Sequence, residues 1–241
     1  MFIEKEFYIG FRDLDFSSKL CNTSLLSYLE DIGGFHSNLA HTGLLDIPTT
    51  KKSWVLLAWK VNLYKRPIYS ETVKIKTWSR AMDKLYAYRD FEIYCNDELI
   101  GIATSKWILI DIESRKILKL DEELAEKYKQ ENIDIMNIGS NFGKFSEPET
   151  YTYEAEYKIT KNLIDINEHV HNLYYLDIAE EVIPEAVLKS GKLNNFEILY
   201  KKEIKKDETV KCLFEELDDS YVVTIKSLDK SVLHCIIKYY K

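Results

Sequence analysis

The chain has 241 residues, 46% of them hydrophobic and 30% charged, and a formal net charge of -7. That is enough apolar material for one large or two smaller packed domains. The acidic balance excludes general nucleic-acid binding, which rests on many Lys and Arg against phosphates. The longest apolar runs, such as WVLLAW at 54–59, are too short to span a bilayer. No basic stretch followed by an apolar one stands at the start, so a cytoplasmic protein without a membrane span is expected.

In chain order, the first clear pattern is SLLSYLEDIGGFHSNLAHTG, with Leu25, Leu29, Ile32, His36 and Leu39 at helical spacing and Gly43 as a candidate left-handed cap. Strands follow. ETVKIKTW alternates Val73 and Ile75 with lysines, LYAYRDFEIYC spaces Leu85, Ala87, Phe91, Ile93 and Cys95 at even intervals, and SKWILIDI is a continuous apolar run. The segment 121–150 opens with Asp121 and an acidic first turn, predicting a short helix, and continues as an irregular crossing with Gly139, Gly143 and Pro148. A second helix is predicted over NLYYLDIAEEVIPEAVLKSG at 172–191, ending near Gly191. In the strand pattern SVLHCIIKYY, His234 falls on the face opposite Leu233, Cys235 and Ile237 and is expected to be exposed. Cys21, Cys95, Cys212 and Cys235 are scattered without a CxxC pair, which predicts buried thiols rather than a zinc site or disulfide framework.

The two helices are followed by similar segments, LYKRPIYSETVK at 63–74 and LYKKEIKKDETVK at 199–211, which agree with one residue inserted in the second. Such self-similarity implies a duplicated unit of strand, turn, long helix and several antiparallel strands. A strongly curved antiparallel sheet wrapped around one amphipathic helix satisfies that order, and the fold class is α+β. The organisation read from the chain is a first unit at 1–120, a linker with a short helix at 121–150, and a second unit at 151–241.

The first copy then serves as an internal control for the second. Matching Asp13-Leu-Asp15 to Asp165-Ile-Asn167 sets Asp15 and Ser17 against Asn167 and His169, and Pro67 against Glu203. Only the second half then holds Asp165, Asn167, His169 and Glu203 together. If locally extended, Asp165, Asn167 and His169 point to one side at the mouth of the following helix. A histidine is the natural general base near neutral pH, and a neighbouring carboxylate orients it. Helix-start N–H groups favour a developing oxyanion. These parts suit hydrolysis of an activated acyl group by water, with no Ser or Cys nucleophile in the set. Taken singly, the same residues read as Asx turns and helix caps. His169 and His171 would supply half a metal site with no further cluster to complete it, so neither metal nor cofactor is expected. Lys201, Lys202, Lys205 and Lys206 form a basic spot that would steer an acidic partner.

The stretch DINEHVHNLYYLDIAEE resembles the motif of acyl-acyl carrier protein (acyl-ACP) thioesterases, whose pattern is close to D-x-N-x-H-V-N-N-x-x-Y. The resemblance extends through RDLDFSSKLCNTSLLSYLEDIGGFH and LYKKEI. It implies a double hotdog fold, with two antiparallel sheets each wrapped around a long central helix. It also implies hydrolysis of the thioester between a fatty acyl chain and the phosphopantetheine arm of acyl carrier protein. Asp165, Asn167, His169 and Glu203 match the family's polar catalytic group, and the first half is expected to supply the acyl pocket. Two positions depart: His171 replaces a common Asn, and Ile204 stands where plant members often have Cys. Ile204 cannot attack a thioester, so direct water attack is the consistent mechanism. An acyl-CoA thioesterase and a non-catalytic acyl-binding module are the competing expectations, and a homodimer is left open.

Overall fold

The alternation at Val73, Ile75 and Thr77 becomes a strand whose three side chains are fully buried while the intervening lysines are half-exposed. In the computed structural model, which describes residues 1–139 and 142–241, the chain divides into two units, Met1–Phe142 and Gly143–Lys241. The first contains β1 (Ile3–Tyr8), α1 (Asn22–Leu39), α2 (Ile47–Thr50), β2 (Lys52–Leu63), β3 (Thr72–Ser79), β4 (Ala87–Cys95), β5 (Glu98–Asp111) and α3 (Glu122–Tyr128). Its strands lie in the order β1-β3-β4-β5-β2, each neighbour antiparallel. Leu25, Leu29, Ile32 and His36 form the buried stripe of α1, and Tyr28 of that helix stacks on Phe7 of β1 at 4.6 Å.

Helix α1 ends differently from expectation. The left-handed residue is His41, with φ 54°, whereas Gly43 has φ -87°. Gly43 is there for space: a Cβ would lie 1.9 Å from Asn38 Oδ1 and 2.8 Å from the Asn38 backbone nitrogen. Helix α3 forms where Asp121 predicts it, the Asp121 carboxylate accepting from the Leu124 N–H at 2.9 Å. The segment that follows is tied to the first unit, with Trp78 Nε1 donating to the Ile133 carbonyl at 3.1 Å and Arg80 pairing with Asp134 at 2.6 Å.

The second unit contains β6 (Tyr153–Lys158), α4 (Tyr174–Glu180), α5 (Glu185–Leu188), β7 (Asn195–Tyr200), β8 (Thr209–Glu216), β9 (Ser220–Ser227) and β10 (Leu233–Tyr240), with strand order β7-β10-β9-β8-β6. Its helix is two pieces rather than the single one predicted at 172–191. Pro184 takes φ -56° and ψ 139°, lacks an N–H, and is preceded by tight three-residue bonds from Val182 to Ala179 and from Ile183 to Glu180. Val182 and Ile183 are nonetheless buried, so the break retains the apolar stripe. Gly191 does adopt the left-handed conformation, at φ 71°.

His234 is buried, at 4% exposure, and not exposed as its alternation suggests. A register irregularity between Leu233 and Cys235 breaks the period, and His234 Nδ1 donates to the Lys202 carbonyl at 3.1 Å. Because that carbonyl only accepts, Nδ1 carries the hydrogen. Among the thiols, Cys95, Cys212 and Cys235 are buried, Cys21 is half-buried, and all four are free.

Candidate active site

Asp165 organises a tight turn. Its Oδ1 accepts from the Asn167 N–H at 2.8 Å and from the His169 N–H at 3.2 Å, and its Oδ2 accepts from Asn167 Nδ2 at 3.2 Å. The Asp165 N–H donates to the His169 carbonyl at 2.8 Å, closing the loop, while Glu168 takes φ 63° at the corner. The segment is therefore a turn and not the extended run that would set Asp165, Asn167 and His169 two apart on one side. Short polar side chains that bond their own backbone produce this geometry.

Beyond the turn the chain runs antiparallel to the segment after β7. His169 bridges Lys205, and the Val170 N–H donates to the Ile204 carbonyl at 2.9 Å. Glu203 thus lies two residues from the partner of His169, and alternation along an extended segment puts 203 and 205 on the same side. His169 is half-buried, while Asn167 and Glu203 are exposed. Ile204 is wholly buried, and its N–H donates to Tyr175 Oη at 3.1 Å. Tyr175 itself is 2% exposed, and burial, followed by the nearby Cys235 and Glu203, pushes its hydroxyl above the usual phenol range. This tyrosine clamps α4 to the Glu203 segment; it is the last residue of the D-x-N-x-H-V-N-N-x-x-Y pattern, which was its sequence signal. His171 does locally what an Asn side chain would, its Nδ1 accepting from the Leu173 N–H at 3.4 Å. Glu203 also lines a cleft of about 600 Å³ with Lys202, Lys205, Glu208, Thr209 and His234.

The first unit repeats this construction residue for residue and corrects the register of the duplication. Asp15 N–H donates to the Lys19 carbonyl at 2.7 Å, Asp15 Oδ1 accepts from the Ser17 and Lys19 N–H groups, and Leu20 N–H donates to the Pro67 carbonyl at 2.9 Å. Asp15 is consequently the counterpart of Asp165, Ser17 of Asn167, Lys19 of His169, Pro67 of Ile204 and Arg66 of Glu203. Matching Asp13 to Asp165 was two residues out, and the insertion falls before Glu203. The aspartate is common to both copies and builds the turn in each. What distinguishes the second copy is His169, Asn167 and Glu203.

Two successive antiparallel sheets, each carrying its helix and the same Asp-centred turn, define a double hotdog protein. Residues 2–128 match the acyl-ACP thioesterase N-terminal domain and residues 146–237 the acyl-ACP thioesterase C-terminal domain, so the chain belongs to the acyl-ACP thioesterase family. It is 26% identical over 218 residues to the oleoyl-acyl carrier protein thioesterase of Coriandrum sativum, covering 83% of this chain and 59% of that one. A second relative, oleoyl-acyl carrier protein thioesterase 2 of Arabidopsis thaliana, is 25% identical over 66% of this chain and 46% of its own length. The chain therefore spans less than two thirds of these curated relatives. Among solved structures, an acyl-ACP thioesterase from Bacteroides thetaiotaomicron superposes with TM-score 0.85 at 21% identity, over 99% of this chain and 97% of that one. The 12:0-ACP thioesterase from Umbellularia californica gives TM-score 0.86 at 17% identity, over 99% and 96%.

Proposed function

We propose that this protein hydrolyses the thioester of a fatty acyl chain on the phosphopantetheine arm of acyl carrier protein, releasing the fatty acid and the carrier thiol. Water attacks directly. His169 takes its proton, Glu203 orients the imidazole or the water, Asn167 donates to the carbonyl oxygen, and Asp165 holds the turn that presents Asn167 and His169. The observation that supports this reading is the His169–Lys205 bridge with its Val170–Ile204 hydrogen bond, which runs the segment bearing Glu203 antiparallel to the backbone of His169. Ile204, buried and without a nucleophilic atom, suits a mechanism with no acyl-enzyme.

The test is thiol release from acyl carrier protein and CoA substrates of several chain lengths, with His169→Ala alongside. Release from the carrier substrates, and a loss of about 10²- to 10⁴-fold in the variant, is expected for removal of a positioned general base. No release from any substrate overturns hydrolysis and leaves an acyl-binding module. Release from CoA substrates alone reassigns the thiol carrier, and an unchanged rate in the variant clears His169 of the role.

A further inference from the structure

The core of the first unit holds a cation that the fold does not need. Arg89, on β4, is 7% exposed, and its side chain lies under α1, where a Cβ on Gly33 would stand 3.4 Å from Arg89 Cδ. Its Nη1 donates to His36 Nδ1 at 3.0 Å and to Thr77 Oγ1 at 3.4 Å, and the Tyr128 ring sits 5.8 Å from the guanidinium carbon. No carboxylate among the described residues pairs with it. His36 is fully buried, and since arginine only donates, its Nδ1 must be the bare nitrogen and Nε2 carries the hydrogen. That Nε2 has no hydrogen-bond partner; the Tyr128 backbone carbonyl beside it does not reach bonding geometry. Burial lowers the guanidinium to about 10, which leaves it charged at neutral pH, and burial together with Arg89 lowers His36 to about 3, which leaves it neutral.

A buried guanidinium without a counter-charge is costly, and a ring contact at this distance offsets only a small part of that cost. The duplication shows that the position does not require it. Register within the strands makes Tyr221 the counterpart of Arg89 and Phe214 that of Thr77. In the second unit those two rings stack at 6.0 Å, an apolar solution to the same place in the sheet. The first unit instead offers donors and positive charge, with buried Ser79 and Ser105 paired across the sheet from Arg89 and apolar side chains beyond them: Phe91 on the same face of β4, Trp59 against it at 5.4 Å, and Leu29 and Ile32 on α1, these four fully buried.

We propose that the Arg89–His36 pair is a receptor for an aliphatic ligand bearing a carboxylate, whose oxygens take the unused guanidinium N–H groups while the alkyl chain lies among the apolar side chains. Either a free fatty acid presenting its own carboxyl group or an acyl chain with a carboxyl at its far end has this chemistry. The site stands whether or not the thioester is hydrolysed at His169.

Calorimetric titration tests it, with decanoate, decanol and the monomethyl ester of decanedioic acid against wild type, Arg89→Met, Arg89→Lys, and His169→Ala combined with Glu203→Gln. Wild type is expected to bind decanoate or the half-ester at least about tenfold more tightly than decanol, the scale of one charge-assisted contact of about 1.5 kcal/mol. That preference disappears in Arg89→Met and persists in the His169 and Glu203 double variant. Where Arg89→Met does not fold by circular dichroism, Arg89→Lys, which keeps charge but loses the planar fork, carries the test with at least a threefold loss. An Arg89-dependent gain confined to the half-ester identifies the far-end carboxyl, and one shared with decanoate the free acid. Wild type binding neither decanoate nor the half-ester more tightly than decanol, or a preference untouched in both Arg89 variants, overturns the proposal.

Discussion

His36 shows how one buried residue couples the fold to pH. Burial, helped by Arg89, lowers its imidazole to about 3, whereas in the unfolded chain it titrates near the ordinary 6.5. The unfolded state therefore binds the extra proton between those values, so the stability that a neutral His36 contributes is complete above the unfolded value and is lost as pH falls toward the folded one. Acidifying from about pH 7.5 to about pH 5 should cost up to about 2 kcal/mol through this group. Asp90, raised to about 6 chiefly by burial, acts oppositely: its contribution is present at low pH and lost as pH rises through 6. Urea unfolding of wild type and His36→Gln at both pH values isolates the histidine, because Asp90 is common to both. Equal acid sensitivity in the two proteins contradicts the assignment.

Tyr175 belongs to the same scale. Replacing it by Phe removes the acceptor of the Ile204 N–H, and a buried donor left without a partner costs about 1–3 kcal/mol. Because that bond holds the segment bearing Glu203, Tyr175→Phe should lower turnover more than it raises KM in the thiol-release assay. A variant that loses stability while keeping full turnover limits Tyr175 to a structural part. Periodicity had marked neither residue as unusual: His36 sits on an ordinary apolar stripe, and the phenol in a helix reads as core.

At the level of elements, helix α1 was readable from its spacing, but its two glycines were not interchangeable, as only the packed sheet reveals. Gly33 approaches Arg89, whereas Gly34 is exposed and an added Cβ would meet nothing within 4 Å. Gly34→Ala should therefore stabilise the protein by about 0.5–1 kcal/mol, from helix propensity and reduced unfolded-state entropy. Gly43→Ala should destabilise it by about 1–3 kcal/mol, since the new methyl collides with Asn38. Thermal and urea unfolding of the two variants must move in opposite directions. The helix of the second unit was predicted as one piece because its apolar stripe continues through Val182 and Ile183; Pro184 removes a donor and divides it without disturbing the stripe. Hydrophobic pattern reports which side is buried and is silent on whether the backbone ladder is intact.

For the whole molecule, the basic spot at Lys201, Lys202, Lys205 and Lys206 is exposed beside Glu203 on a chain of net charge -7. If an acidic carrier approaches there, changing all four to Glu should raise KM for carrier-bound substrate by roughly tenfold at low salt, converge with wild type as salt rises, and leave CoA substrates largely unaffected. An unchanged KM at low salt removes this cluster from the encounter.

The amino-acid sequence by itself determined that the molecule is a duplicated sheet-and-helix protein, and that the spacing D-x-N-x-H at 165–169 has no equivalent at 15–19 in the first copy. Those features are local: strand and helix periods act over a few residues, and the Asp165 turn closes over five. Tertiary structure alone decided the true register of the two copies, because hydrogen bonds between distant strands, and not residue likeness, make Arg66 the partner of Glu203 in the repeat. It also decided that His234 lies inside, that Tyr175 reaches the Glu203 segment, and that Arg89 and His36, 53 positions apart, meet in one buried place. Such meetings depend on how a curved sheet closes over its helix, a non-local free energy that no short window of sequence expresses.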